Sequence, residues 1–162
     1  MTFTDDEAAF LNSHKRPIGC LATVSPDGHP DVVGVSYEFD GTYLYIGGLN
    51  QLKSRKYRNV LAGNTKVAFF LESFDQEKPQ QLQWLRIYGT ADLVERKGRF
   101  DSIATGAAED RDSSQYIRIT ATTSWAFNLE GRDLTDFDPQ NYKRLTSVRR
   151  NVHDAAEQAL PK

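Results

Sequence analysis

The feature that most constrains this chain is the punctuation of its first third, where short apolar runs are broken by tight-turn signals. Gly19–Val24 is apolar and partly β-branched, and Ser25-Pro26-Asp27-Gly28 follows it directly. In that tetrapeptide the proline presets φ and the glycine accepts the positive φ that a tight turn requires. Val32, Val33, Val35 and Tyr37 form a second run, and Asp40-Gly41 after it is a hairpin signal. Tyr43, Tyr45 and Gly47 then share one face of a third run, with Leu44 and Ile46 on the other. The three runs are expected to form an antiparallel meander.

Ahead of them, Thr4 and Glu7 have the spacing of a capping box. The helix they open offers Phe10 and Leu11 as its apolar face and is expected to stop at Pro17 and Gly19. After the third run the pattern changes. Leu52–Leu61 suits a helix with Tyr57, Val60 and Leu61 on one face, ended by Ala62-Gly63-Asn64. Val67–Leu71 reads as a buried strand, Ser73–Gln83 as a loop, and Leu85–Glu95 as a long strand bent or bulged near Gly89. A short helix is expected over Gly98–Glu109, and a closing strand over Gln115–Phe127. A short helix is expected to open at Asp138-Pro139 and reach Val148, and the chain from His153 is expected to fray. Closely spaced strands, one crossing helix and no βαβ alternation indicate a mainly β fold, an antiparallel six-stranded barrel with a few helices.

Composition narrows the function. The 162 residues suit one domain, and a net charge of −2 argues against a general nucleic-acid binder. Cys20 is the single cysteine, so no internal disulfide can form; with an acidic start that lacks a signal-peptide core, a cytoplasmic protein is expected. No apolar run approaches the length of a membrane helix. His14, His29 and His153 are scattered without metal-ligand spacing, so no metal site is expected. Cys20 reads as a small buried hydrophobe, and Trp125 with Phe127 as core, the alternative being the wall of a planar ligand. Glu109, Asp110 and Asp112 read as a solvated acidic loop.

One segment stands apart, Gly47-Gly48 through Asn59. Two glycines end a strand and let backbone approach a ligand closely. A helix start follows, and Lys53, Arg55, Lys56 and Arg58 place four cations within six residues. That arrangement suits a phosphate or a polyanionic tail; the alternative is a solvated basic helix face. No P-loop or dinucleotide glycine fingerprint is present, which argues against nucleotide hydrolysis.

The order of these motifs resembles the pyridoxamine 5'-phosphate oxidase-like, FMN-binding split barrels. Gly19–Val24, Pro26-Asp27-Gly28-His29-Pro30 and Val33-Gly34-Val35-Ser36-Tyr37 resemble that family's opening. Ser54-Arg55-Lys56-Tyr57-Arg58-Asn59-Val60 with Lys66-Val67-Ala68-Phe69 is similar to its cofactor-anchoring helix and next strand, and Arg86-Ile87-Tyr88-Gly89-Thr90-Ala91 to a later strand. The resemblance runs from about Leu11 to Phe127, and is strongest to the actinobacterial F420-dependent branch, which includes reductases of tetracycline-type pathways.

The resemblance implies a split-barrel cofactor-binding domain over residues 1–127, with 128–162 an extension packed on it or partly disordered. It implies a homodimer with each cofactor in a groove between subunits, and a small-molecule substrate. Lys56 and Asn59 match the cofactor-anchoring motif best, with Ser54 and Arg55 as phosphate contacts and Lys53 beside them. Val33, Val35 and Ser36 fall where the second strand passes the ring, and Gly47 and Gly48 stand where other branches carry bulkier residues. The implied activity is hydride transfer between reduced F420, the alternative cofactor being FMN, and an electron-poor C=C or C=N bond. The other reading is a carrier that holds flavin, F420 or haem without turnover. No catalytic side chain is identified; Tyr37, Tyr88 or a water are the candidate proton donors.

Overall fold

The computed structural model describes residues 3–14, 17–48, 50–73, 77, 81–97, 114–135 and 146–150. Most of the expected loop over 73–83, the expected helix over 98–109, the acidic group Glu109, Asp110 and Asp112, the Asp138-Pro139 helix start and the tail from His153 lie outside those residues.

Helix α1 spans Asp5–Ser13 and opens with the expected capping box. Thr4 Oγ1 accepts from Glu7 N–H at 3.1 Å, and Glu7 Oε2 accepts from Thr4 N–H at 3.0 Å. The remaining Glu7 oxygen accepts from Ser124 Oγ at 2.6 Å, so one buried carboxylate both caps the helix and ties it to the sheet. Phe10 and Leu11 are buried as expected.

The strands are β1 (Ile18–Val24), β2 (Pro30–Ser36), β3 (Glu38–Phe39), β4 (Leu44–Ile46), β5 (Lys66–Ser73), β6 (Gln83–Glu95), β7 (Gln115–Phe127) and β8 (Thr146–Arg150). All pairings are antiparallel, in the order β2-β1-β5-β6-β7-β4-β3, with β8 also on β7. The two ends of that order, β2 and β3, are separated in sequence by Tyr37 alone. A sheet whose outermost strands are neighbours in the chain must curl on itself, so the architecture is a mainly β half-barrel of the split-barrel type.

Two expectations change here. The expected hairpins β1–β2 and β3–β4 form, but the runs are not one continuous meander, because β2 and β3 lie at opposite ends of the strand order. Six strands are expected, and among the described residues there are eight: the second run divides at Tyr37, and β8 is added. Tyr37 bends inward, 1% exposed, and donates to Leu11 C=O at 2.8 Å. The helix expected to reach Val148 is replaced at Thr146–Arg150 by β8. It takes the edge of β7 at Thr123–Phe127, beyond Ile117–Ile119 where β4 is bonded.

The core is the inner face: Leu21, Val67, Phe69, Leu71, Leu85, Ile87, Ile117, Ile119, Leu44 and Ile46 are all buried. The bend expected near Gly89 is a bulge. Tyr88 faces Thr123 and Gly89 faces Ala121, so Thr122 is the extra residue. Gly89 is required there by packing, since a Cβ would lie 2.4 Å from Thr120 O.

Alternation sends other residues outward. Cys20, expected in the core, is exposed, because Gly19, Leu21 and Thr23 take the inner positions of β1. Trp125 is likewise on the outer face, half-buried beneath Arg86, whose Cζ is 4.8 Å from the indole centroid. Phe127 is buried, but against Trp84 at 5.5 Å in a stacked pair rather than within the barrel.

Candidate functional site

The β3–β4 hairpin delivers the chain to the site and is held firmly. Tyr116 Oη donates to Glu38 at 3.1 Å, and Arg96, 3.5 Å from the same carboxylate, lies over the Tyr45 ring at 3.9 Å. Past Ile46, Gly47 is buried and Gly48 half-buried.

The expected continuous helix over Leu52–Leu61 is two pieces. Gln51–Lys53 is a 3-10 turn, and helix α2 spans only Arg55–Leu61. Ser54 separates them because it is extended, with φ −70° and ψ 146°, and acts as the N-cap. Its hydroxyl donates to Gln51 C=O at 2.7 Å and accepts from Tyr57 N–H at 3.3 Å. Ser54 is therefore engaged in capping, and Lys53 does not share a helix with Lys56. Helix α2 packs on β1, β2 and β6 and buries Tyr57, Asn59 and Val60. Leu61, expected on that face, is 65% exposed. The Asn59 amide donates to Thr23 Oγ1 of β1 at 2.9 Å, and that buried bond fixes which side of the helix faces the sheet.

The cations divide into two kinds. Lys53, Arg55 and Arg58 are exposed, and Arg55 lies 3.9 Å from Asp31 of β2. Lys56 is half-buried; burial holds its ammonium below the usual lysine pKa, and the Asp31 carboxylate opposes that shift. Its ammonium comes back over Gly48: a Cβ on that glycine would lie 4.0 Å from Lys56 Nζ and 3.5 Å from Gln51 Oε1. Gly48 has a positive φ of 155°, a conformation that glycine adopts more readily than other residues.

Gln51 and Asp31 are site residues that the sequence did not single out. Gln51 is fully buried, and its Nε2 donates to Ile46 C=O at 2.9 Å. Its Oε1 is buried without a partner. Asp31 reaches Arg55 across 24 sequence positions, and no local signal marks such a pairing.

Of the strand residues expected at the site, Val35 packs into the core, Val33 is exposed and Ser36 half-buried. Val33 and Val35 face one side of β2 and Ser36 the other, as their partners Leu21, Gly19 and Ile18 require. The phenol of Tyr37 is buried and bonded to backbone, which removes it as a proton donor. Tyr88 is 41% exposed on the outer face. Among the described residues no cluster of His, Cys, Asp and Glu is placed to hold a metal, and no helix is long and apolar enough to cross a membrane.

The residues fit a flavin-type cofactor. The half-buried Lys56 ammonium comes over Gly48, and exposed cations continue along the same segment, which suits the anionic part of such a cofactor.

Comparison with known proteins agrees with that chemistry. The sequence profile of pyridoxamine 5'-phosphate oxidase matches residues 3–130. A 5a,11a-dehydrotetracycline/5a,11a-dehydrooxytetracycline reductase of Streptomyces rimosus is 38% identical over 136 residues, 81% of this chain and 87% of that one. A solved F420 reductase superposes with a TM-score of 0.51 at 28% identity, over 68% of this chain and 90% of the other. A haem-binding protein of Mycobacterium smegmatis, at 16% identity and a TM-score of 0.60, covers 96% of this chain and 62% of its own; it bears on the fold alone.

Proposed function

The chain belongs to the pyridoxamine 5'-phosphate oxidase family, and we propose that it is an F420-dependent reductase of a small molecule with an electron-poor C=C or C=N bond. The observation that carries this reading is the return of the half-buried Lys56 ammonium over Gly48, beside three exposed cations. The S. rimosus relative supports an oxidoreductase, and the solved F420 reductase supports the deazaflavin over FMN. A polycyclic enone of the tetracycline type is the substrate class that the relative's name favours.

Bound at this site, the cofactor would supply the hydride. The chain's own residues bind and orient it. Lys56 donates to a cofactor oxygen from a partly desolvated position, where a charge-assisted bond is stronger than in water. Lys53, Arg55 and Arg58 hold the phosphate and anionic tail at the surface. Asn59 and Ser54 act at one remove: the first fixes α2 to β1, and the second starts the helix so that Lys56 returns over Gly48. Val33, exposed on the Leu21 side of β2, offers accessible surface to the ring.

A homodimer belongs to the same proposal. Ile18, Val24, Val32 and Tyr88 leave an apolar surface on the outer face of β1, β2 and β6, with Val32 67% exposed. A second copy laid on it would bury that surface and deepen an otherwise open groove.

The test is turnover. With reduced F420 and an enone acceptor, the protein is expected to catalyse a change in deazaflavin absorbance. Bound cofactor with no turnover across a panel of enone and imine acceptors overturns the reductase reading in favour of a carrier.

A further inference from the structure

We propose that Asp31 is a specificity-determining residue of the anion site: its carboxylate, set against Arg55 and beside Lys56, limits the negative charge the site accepts and so favours a phosphodiester over a phosphomonoester. The inference rests on the reading of the Lys53–Arg58 cations as the phosphate-binding part of a flavin or deazaflavin site.

The carboxylate stands among the cations and within reach of solvent. Asp31 Oδ1 lies 3.9 Å from Arg55 Nη1, and the two side chains are 24% and 60% exposed. Asp31 also bears on Lys56: burial lowers the pKa of that ammonium, and the Asp31 charge opposes the shift. Folding gains little from the ion pair, because an exposed pair at that distance is weak. The placement comes instead from the neighbouring strand. Asp31 faces Thr23 across the β1–β2 ladder, and Thr23 Oγ1 accepts from the buried Asn59 amide at 2.9 Å. That bond holds α2, with Arg55 and Lys56, beside Asp31 whether or not the ion pair is closed.

A phosphate held by Arg55 therefore sits next to a fixed negative charge. Two cations and one carboxylate leave a single positive charge, which one phosphate charge neutralises. A diester carries one negative charge at neutral pH. A monoester gains a second as its last proton leaves at about pH 6, and that charge meets the Asp31 carboxylate at close range. Lys53 and Arg58 are exposed, so solvent and salt screen what they return. F420 carries its phosphate as a diester and FMN as a monoester, so Asp31 selects between them by phosphate charge and not by ring.

The test measures affinity with ring and phosphate charge varied separately. The wild-type protein, Asp31→Asn and Asp31→Glu are titrated at about pH 8, where a monoester is doubly ionised. The ligands are F420, the 5'-monophosphate of its deazaflavin riboside, FMN, the methyl ester of FMN, and riboflavin. In the wild type the methyl ester is expected to bind more tightly than FMN, and the reverse order overturns the proposal without any variant. Asp31→Asn is expected to favour the two monoesters over the two diesters by roughly tenfold relative to wild type. Asp31→Glu keeps the charge and is expected to keep the wild-type preference. An unmoved ratio in an Asp31→Asn that melts normally makes Asp31 a positioning residue for Arg55 and overturns the proposal. Loss of the preference in Asp31→Glu as well, or an equal gain with riboflavin, also overturns it, because charge is then not what is read. If the wild-type protein binds none of the phosphate-bearing ligands, the functional reading itself fails and this inference falls with it.

Discussion

Replacing Lys56 by methionine separates binding from folding in a way the structure makes specific. The substitution keeps an apolar stem and removes the ammonium that returns over Gly48. One charge-assisted hydrogen bond contributes about 1.5–3 kcal/mol, so F420 binding should weaken roughly tenfold to a hundredfold or more. The protein without cofactor should move the other way. Burial lowers the folded-state pKa of Lys56, so the charged form is disfavoured on folding. That penalty is fully present below the folded pKa and disappears as pH rises from there to the unfolded lysine value. Lys56→Met should therefore melt higher than wild type at neutral pH, and the gain should shrink as pH climbs through that window. Salt gives a third signature. Screening is strong for exposed charges and weak for buried ones, so the affinity loss in Lys56→Met should persist at high salt. The loss in Lys53→Ala or Arg55→Ala should shrink. Calorimetric titration and scanning calorimetry read both halves. Unchanged affinity in the folded variant, or a lower melting temperature at neutral pH, refutes the reasoning.

Three other outcomes follow from the same geometry. Gly89→Ala drives a Cβ to 2.4 Å from Thr120 O at the β6–β7 bulge; overpacking of this kind destabilises by about 1–3 kcal/mol or more, read as a drop in melting temperature. Tyr37→Phe strips a buried donor from Leu11 C=O and should cost about 1–3 kcal/mol of stability, while turnover by the surviving folded protein stays at the wild-type rate. Val32→Glu places a charge on the apolar surface of β2, and sedimentation should show a monomer where the wild type is a dimer.

Much of the fold was legible because its signals are local. The capping box at Thr4 and Glu7, the turn at Ser25–Gly28 and the bend near Gly89 each depend on residues within a few positions of one another. Pairing partners depend on distant residues, and there the reading failed. Nothing within Tyr43–Gly47 says that β4 lies beside β7 rather than continuing the meander. Cys20 and Trp125 were misplaced for a related reason: an apolar residue in a strand takes whichever face the register assigns. The site was legible as a segment and not as a constellation. Gly48 and Lys56 were singled out by type and spacing, and they do meet. Gln51 carries no signal in sequence because its burial and its bond to Ile46 C=O come from the fold, and a polar residue after a glycine pair ordinarily reads as loop. Ser54 and Asn59 have the types expected of ligand contacts, but each is engaged with the protein, one as a helix cap and the other on Thr23.

The central claim is that this site holds a deazaflavin, and titration of the purified protein with F420 and with FMN under the same conditions tests it most directly. Saturable F420 binding that exceeds FMN binding is the predicted result. Tight binding of FMN with none of F420 would contradict the claim, and would leave the barrel and its family membership standing.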